Sequence, residues 1–413
     1  MRNKQMGPIQ LGGLLAGAVL GSGVILLPPM AEARLGEWSV AAWLIVMALG
    51  AVFASLFARL AVAYPGSEGV PIAIREAFGE KAGQLASNYI ICAVCVGPVA
   101  VMMTAADSIG HTFNLSATQI SGFATIMVLI CSFILLRRVT FVSTISLIAS
   151  IAIGLILISG SFITIGFNSV SPIPVNAPDI PSLGSALLLL FWAIIGWEII
   201  GNYSMEVRYP TRTIPLATII GVSTVSVVYL LTGWAMHSIG KSPHKSLNVA
   251  QIVEPLLGGY ANFMVMLITC ALCICTYLMI IGGVSRLIAT LAAKGKLPSI
   301  LAKTNANNAP WSATFLLCGI HMATLFLLQN GVVSLEELVS FANVFFLANS
   351  LIAVGAALKI FKSPAVRIPC IILCTGFSIL LAFSSIWPLL ILAAVSIVTL
   401  TLKQVRRITF AQK

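Results

Sequence analysis

The sequence predicts an all-α integral membrane protein of about twelve transmembrane helices, on three observations. Of its 413 residues, 59% are hydrophobic and only 8% are charged, with a mean hydropathy of +1.04. No water-soluble domain hides that much apolar surface. The apolar residues also gather into runs of the roughly 20 residues that a helix needs to cross a bilayer. Finally, two of those runs are broken at their middles by small or ionisable residues.

Taken in order, the spans fall near 10–31, 39–63, 84–107, 118–136, 143–166, 183–207, 213–236, 258–281, 312–329, 338–359, 367–385 and 387–402. The first carries Gly21-Ser22-Gly23 at its middle and Pro28-Pro29 beyond. The sixth carries Trp192, Gly196, Trp197 and Glu198. The last two are divided near Trp387-Pro388. The whole chain, 1–413, reads as a single transmembrane domain. It divides into one half at about 8–167, a second at about 183–361 and two extra helices at about 366–402. Each half begins with a broken helix, and an odd number of spans per half gives the halves opposite topology: a 5+5 inverted repeat. The longest outer loops lie near 166–182 and 237–254. The apolar stretch 249–257 around Glu254 is too short to cross and is expected to pack back toward the membrane.

Lys and Arg set orientation. Of the 23, only Arg34, Lys241 and Lys245 fall in odd-numbered loops, which makes both termini cytoplasmic. The net charge of +11 follows from this bias and from contact with anionic lipid, and does not argue for nucleic acid. The nine cysteines all lie in apolar segments. Cys92 and Cys95 form a CxxC, but no His or acid lies near it, so the cysteines read as small buried hydrophobes rather than metal ligands. No cofactor or metal is expected. Ala31-Glu32-Ala33 imitates a signal-peptide cleavage site, but the breaks inside the preceding run argue against one.

A helix in lipid must satisfy its own backbone, so an unwound stretch is tolerated only where it lines a cavity or meets a ligand. Paired breaks in corresponding positions of two halves are the best pointer to a transporter's substrate site. Gly21 and Gly23 let the chain leave helical geometry, and the helix restarting after them presents free N–H groups suited to a carboxylate. The Ser22 hydroxyl adds a donor; the plainer alternative is small residues packing against a neighbouring helix. Glu198, at mid-membrane, is a functional candidate by default. Burial disfavours a charged carboxyl, which points to proton uptake; the alternative is a structural acceptor for N–H groups at the break. Trp192 offers a face to stack over a ligand, whereas Trp197 reads as packing. Asp107 near the outer end of the third span reads as solvated, and Glu206 as a surface partner of Arg208. Glu336 and Glu337 read as interfacial.

Four motifs in order give the chain a resemblance. These are Gly21-Ser22-Gly23-Val24 with Pro28; Pro65, Gly66 and Gly69 with Phe78-Gly79; Trp192 to Glu198 with Glu206-Val207-Arg208-Tyr209-Pro210 and Ile214-Pro215; and Ser285-Arg286 with Ala293-Lys294-Gly295-Lys296-Leu297-Pro298 and Ala309-Pro310. Over nearly its whole length the chain resembles the amino acid–polyamine–organocation superfamily of permeases, and within it bacterial exporters of neutral amino acids such as methionine and the branched-chain residues. The resemblance implies that Ser22 and the Gly23 amide, at the break opened by Gly21, hold a substrate α-carboxylate. It implies that backbone carbonyls near Val19, Trp192 and Ile195 receive the α-ammonium, that Trp192 gates the site and that Glu198 links transport to protonation.

The chain also departs from that pattern. No Lys or Arg lies between Arg138 and Arg208, and Ala152 stands where some proton-coupled relatives carry a lysine. Val70-Pro71-Ile72-Ala73 replaces the usual aromatics. In its middle the third span offers Gly97-Pro98, Val99, Val101, Met102 and Met103 and no charge, which favours an apolar substrate. The expectation is a secondary transporter of neutral, hydrophobic L-amino acids in the inner (plasma) membrane, driven by protons and working as an exporter. Uptake, exchange or ligand sensing without flux remain open alternatives, and oligomeric state is not legible. An ATP-driven pump is excluded by the lack of a GxxxxGK[ST] motif, and an intramembrane enzyme by the lack of HExxH, GxSxG and paired aspartates. A channel is disfavoured because no charged ring or carbonyl filter is apparent.

Overall fold

The computed structural model describes residues 6–66, 69–137, 140–168, 174, 176–204, 207–240 and 247–401. Its helices are α1 (Pro8–Leu20), α2 (Gly23–Leu35), α3 (Ser39–Ala63), α4 (Val70–Phe78), α5 (Glu80–Phe113), α6 (Ala117–Ile134), α7 (Thr140–Asn168) and α8 (Ile180–Leu190). They continue with α9 (Pro210–Gly240), α10 (Ala250–Leu257), α11 (Ala261–Ala293), α12 (Trp311–Gln329), α13 (Leu335–Ile360), α14 (Pro364–Ala382) and α15 (Ile386–Thr401). Among the described residues there is no strand, only an isolated bridge between Met6 and Val207.

Among the described residues, ten helical stretches are long and apolar enough to cross a membrane. One of them, Gly23–Ala63, turns back at Gly36, whose φ of +49° suits glycine, and so holds two crossings. With α1 completing the first crossing and the apolar α15 forming the last, twelve spans result. This is a multi-pass, all-α membrane protein. Large apolar side chains such as Ile126, Phe133, Ile371, Ile379 and Ile397 stay exposed on the outer helices, as a lipid-facing surface requires. The stretch Ala250–Leu257 does fold back: Ile252 and Val253 are buried as α10 packs on α7 and α11, while Glu254 stays exposed.

The centre of the bundle is α5 against α11 and α13, with α1 held between α7 and α9 and α3 against α9. Glycine permits close approach: a Cβ on Gly12 of α1 would stand 3.0 Å from the Ala217 carbonyl of α9. Exchanging each of the first five spans with its counterpart in the second five preserves many neighbours. The pairing of α1 with α9 maps onto that of α3 with the sixth span, and α5 with α13 maps onto α11 with α7.

Several polar groups in the core are paired across the bundle, although both amide atoms of the buried Asn349 lack a hydrogen-bond partner among the described residues. Pro98 lies inside α5 and cannot donate to the carbonyl of Val94, four residues earlier. His321 of α12 supplies the missing donor: its Nε2 lies 2.9 Å from the Val94 oxygen. That fixes the proton on Nε2, so Nδ1 accepts from the Tyr277 hydroxyl at 2.8 Å. Ser116 with Gln119, and Ser334 with Glu337, form capping boxes, and Asp179 caps α8 through the Ser182 amide at 3.0 Å. Glu336 pairs with Arg34. The pairing of Glu206 with Arg208 lies outside the described residues. None of the nine cysteines forms a disulfide, and no group of metal-binding side chains occurs among the described residues.

Candidate functional site

Both expected breaks are present, and each is built differently. Helix α1 ends at Leu20, Gly21 takes φ +33°, and α2 restarts at Gly23 with Ser22 before it. A helix end leaves four carbonyls without intrahelical donors. Here the Gly17 carbonyl still accepts from the Gly21 amide at 3.1 Å, and two side chains from other spans reach the carbonyls of this end. Thr276 Oγ1 of α11 lies 3.4 Å from the Gly17 oxygen and 3.5 Å from that of Ala18. The Tyr229 hydroxyl of α9 lies 3.3 Å from both the Val19 and Leu20 oxygens. The glycines make this approach possible. A Cβ on Gly21 would stand 2.8 Å from Thr276 Oγ1, and one on Gly23 2.4 Å from the Tyr229 hydroxyl. Tyr229 is fully buried and stacked on Trp43 with ring centroids 4.8 Å apart.

The donor end of the same break is left open. The Ile25 and Leu26 amides bond back to the Ser22 carbonyl, while those of Gly23 and Val24 have no acceptor within α2 and point back along its axis into the break. Ser22 is buried and makes no capping bond; its hydroxyl oxygen accepts from Trp192 Nε1 at 3.2 Å.

The sixth span departs from a simple broken α-helix. After α8 the chain tightens into a 3₁₀ turn, Phe191–Ile194, becomes extended at Ile195, takes φ +120° at Gly196, and continues as a second 3₁₀ stretch, Trp197–Tyr203. The Glu198 carboxylate, 7% exposed, accepts from the Gly196 amide at 3.0 Å. Trp197 is buried against α9, where a Cβ on Gly221 would meet its ring at 3.1 Å, as its packing role requires. Asn343 Nδ2 of α13 donates to the Leu188 carbonyl at 3.0 Å, relieving the end of α8.

Val19, Gly21, Ser22, Gly23, Trp192 and Ile195 are brought together around one pocket, with Gly97, Pro98 and Val101 of α5, Thr276 and Ile280 of α11 and Phe346 of α13. Gly97 makes room for the Trp192 ring, which a Cβ there would meet at 3.3 Å. The pocket is contracted to about 20 Å³, space for roughly one water. Glu198 lies apart from it, in a second cavity of about 40 Å³ bounded by Val70, Ile90, Met279 and Val284. Ile195, Ile280 and Phe346 line both cavities and form the wall between them. A larger cavity, about 580 Å³, forms a vestibule beyond the pocket along α2, α5 and α11. Its α2 wall is apolar (Ile25, Leu26, Pro29, Met30) and its α5 wall polar, with Thr104, Asp107 and His111. The opposite face is sealed where the Arg208 amide donates to Met6 at 3.2 Å and the Gly66 amide to Ser204 at 3.0 Å.

Two of the expected site groups already have partners within the protein. The Val19 carbonyl is already an acceptor for Tyr229. Glu198 serves the break itself as an acceptor, so the structural alternative weighed for it is realised in this conformation. Sequence reasoning missed Tyr229, Thr276 and Phe346; the first two are polar residues deep inside apolar runs, which is the signal that singles them out.

A twelve-span bundle with paired helix breaks around a midplane pocket is the architecture of a secondary transporter. The amino acid permease family model matches residues 6–404, and the chain belongs to that family. It is 23% identical to an uncharacterized amino acid permease, YecA, of Bacillus subtilis (strain 168), over 85% of this chain and 84% of that one. It is 24% identical to the L-methionine/branched-chain amino acid exporter YjeH of Escherichia coli (strain K12), over 94% of both. It is 25% identical to the cadaverine/lysine antiporter of the same organism, over 79% of this chain and 75% of that one.

Proposed function

We propose that this permease is a secondary transporter of neutral, hydrophobic L-amino acids that works by alternating access. The observation that carries the reading is the lining of the central pocket. Its polar side chains are Ser22 and Thr276 beside the Trp192 indole, and the rest is apolar or glycine. The open amides of Gly23 and Val24 with the Ser22 hydroxyl suit a carboxylate, and carbonyls of the unwound segments near Val19, Trp192 and Ile195 suit an ammonium. No lining residue carries a charge to match a cationic or acidic side chain, whose unpaired burial is costly. The relative named as a methionine and branched-chain exporter, aligned over 94% of both chains, agrees with this substrate class and suggests export. The likeness to a cadaverine/lysine antiporter finds no matching acid in the pocket.

Before substrate can enter, Trp192 must release Ser22 and let the contracted pocket widen toward the vestibule. Release to the other side then requires the Ile195–Ile280–Phe346 wall to part. Glu198 ties proton binding to this cycle: a proton on its carboxylate removes the charge that accepts from the Gly196 amide and loosens the second break. The two halves, about 8–167 and 183–361, act as inverted repeats followed by two extra helices. The Lys and Arg bias supports cytoplasmic termini, and the likeness to bacterial permeases supports an inner-membrane location.

Counterflow into proteoliposomes tests the class. Vesicles preloaded with neutral amino acids should accumulate labelled methionine, leucine or isoleucine, while empty vesicles and those loaded with basic or acidic amino acids should not. Equal accumulation with a lysine or cadaverine pool would overturn the neutral assignment.

A further inference from the structure

Away from both breaks, a carboxylate and an imidazole are buried against each other. Glu32, in the last turn of α2, is 8% exposed, and His237, in the last turn of α9, is 2% exposed. His237 Nδ1 lies 3.2 Å and 3.1 Å from the two carboxylate oxygens. The Ser39 hydroxyl, at the start of α3, donates to the same carboxylate at 2.5 Å. Gly240 leaves the room: a Cβ there would stand 2.7 Å from Glu32 Cγ and Oε1. Three elements therefore meet on one carboxylate, and one of them is the upper half of the first broken helix. The opposite face of α2, through Pro29, Met30 and Ala33, lines the vestibule.

We propose that Glu32 and His237 form a proton-binding site, distinct from the substrate pocket, and that the proton it holds clamps α2 to α9. With the proton on the imidazole, the site is a neutral ion pair in which Nδ1–H donates to the carboxylate. Without it, one carboxylate charge is left buried, and both groups sit at helix C-termini, whose dipoles favour a cation and oppose an anion. No heavy-atom bond changes; the proton comes from water on the vestibule side and returns there when α2 moves away and the pair is hydrated. Acid on that side therefore holds α2 against α9, and alkali frees it.

Among the described residues, other charges around the pair are engaged or distant. On α2, Arg34 is paired with Glu336. In the turn after α2, Glu37 accepts from Asn176 at 3.2 Å. On α3 the titratable residue is Arg59, in its last turns. On α8 the nearest acid is the cap Asp179, bound to Ser182. The segments α1 and α7, also packed on α9, carry no titratable residue. Tyr229 lies two turns below His237 on α9, Arg212 lies at its far end, and Glu254 of α10 is exposed. Lys241, His244 and Lys245 lie outside the described residues.

The proposal rests on the reading of α2 as a moving half-helix, but not on the identity of the substrate. Hydrogen–deuterium exchange of the full-length protein in nanodiscs, without substrate, tests it. Exchange would be followed at about pH 5.5 and about pH 8, the range in which His titrates, and corrected for intrinsic rates. In the wild type, peptides of α2 should exchange several-fold faster at the higher pH, while those of α12 should not change. Glu32→Gln and His237→Gln keep side chains of similar size but cannot hold the proton, and each should make α2 exchange independent of pH. A wild-type α2 without a pH response, or either variant retaining the wild-type response, would overturn the proposal. Failure of counterflow with an intact α2 response would instead count against the transport reading alone.

Discussion

The two broken spans solve the same backbone problem from opposite ends. At the first break the carbonyl end is served: Gly17 accepts from the Gly21 amide, the Thr276 hydroxyl reaches Gly17 and Ala18, and the Tyr229 hydroxyl is shared between Val19 and Leu20. Its amide end is left open. At the second break the amide end is served from within, by Glu198 accepting from Gly196. A helix start with unmet N–H groups attracts an anion, whereas one already holding a carboxylate does not. On the proposed function, the substrate carboxylate belongs at the first break, and the second is a lock whose key is a proton.

The comparison can be broken most forcefully at Gly23. Gly23→Ala places a Cβ within 2.4 Å of the Tyr229 hydroxyl. That hydroxyl must then leave the Val19 and Leu20 carbonyls, and counterflow should fall to background with a clear loss of thermal stability. Wild-type flux in this variant would mean that Tyr229 does not support the break. Tyr229→Phe removes only the donor. Leaving buried acceptors unmet costs about 1–3 kcal/mol, so the melting temperature should drop by several degrees while Trp43 stacking is retained. The corresponding change at the second break should be milder. In Glu198→Gln the amide oxygen still accepts from Gly196, so stability should change by about 1 kcal/mol or less. The side chain can no longer take up a proton, so the pH dependence of flux should flatten. A wild-type pH profile would leave Glu198 with its structural role alone.

Much of this architecture was legible in the sequence. The second span, expected at 39–63, is α3, Ser39–Ala63, because its apolar run is bounded by a turn at each end. Gly21-Ser22-Gly23 marks the first break because few other residues tolerate φ +33° there. The sixth span was read as broken near Gly196, but its 3₁₀ character was not foreseen. Packing decides it: Trp197 fits against Gly221, and a Cβ on Gly201 would stand 3.0 Å from Gly69 Cα. Tyr229 and Thr276 sit more than 200 residues from the carbonyls they serve. Nothing local to either span discloses that pairing. The same holds for His321, whose role becomes visible only once Pro98 is seen to orphan Val94 across the bundle.

The most direct test of the open amide end is to remove the substrate's carboxylate. Competition of leucine and of leucinamide against labelled leucine in counterflow would be compared in the wild type and in Ser22→Ala. The account predicts that leucinamide fails to compete in the wild type, and that Ser22→Ala weakens leucine by about tenfold, the equivalent of one good hydrogen bond to a charged group. Leucinamide competing as well as leucine, with Ser22→Ala unchanged, would contradict it.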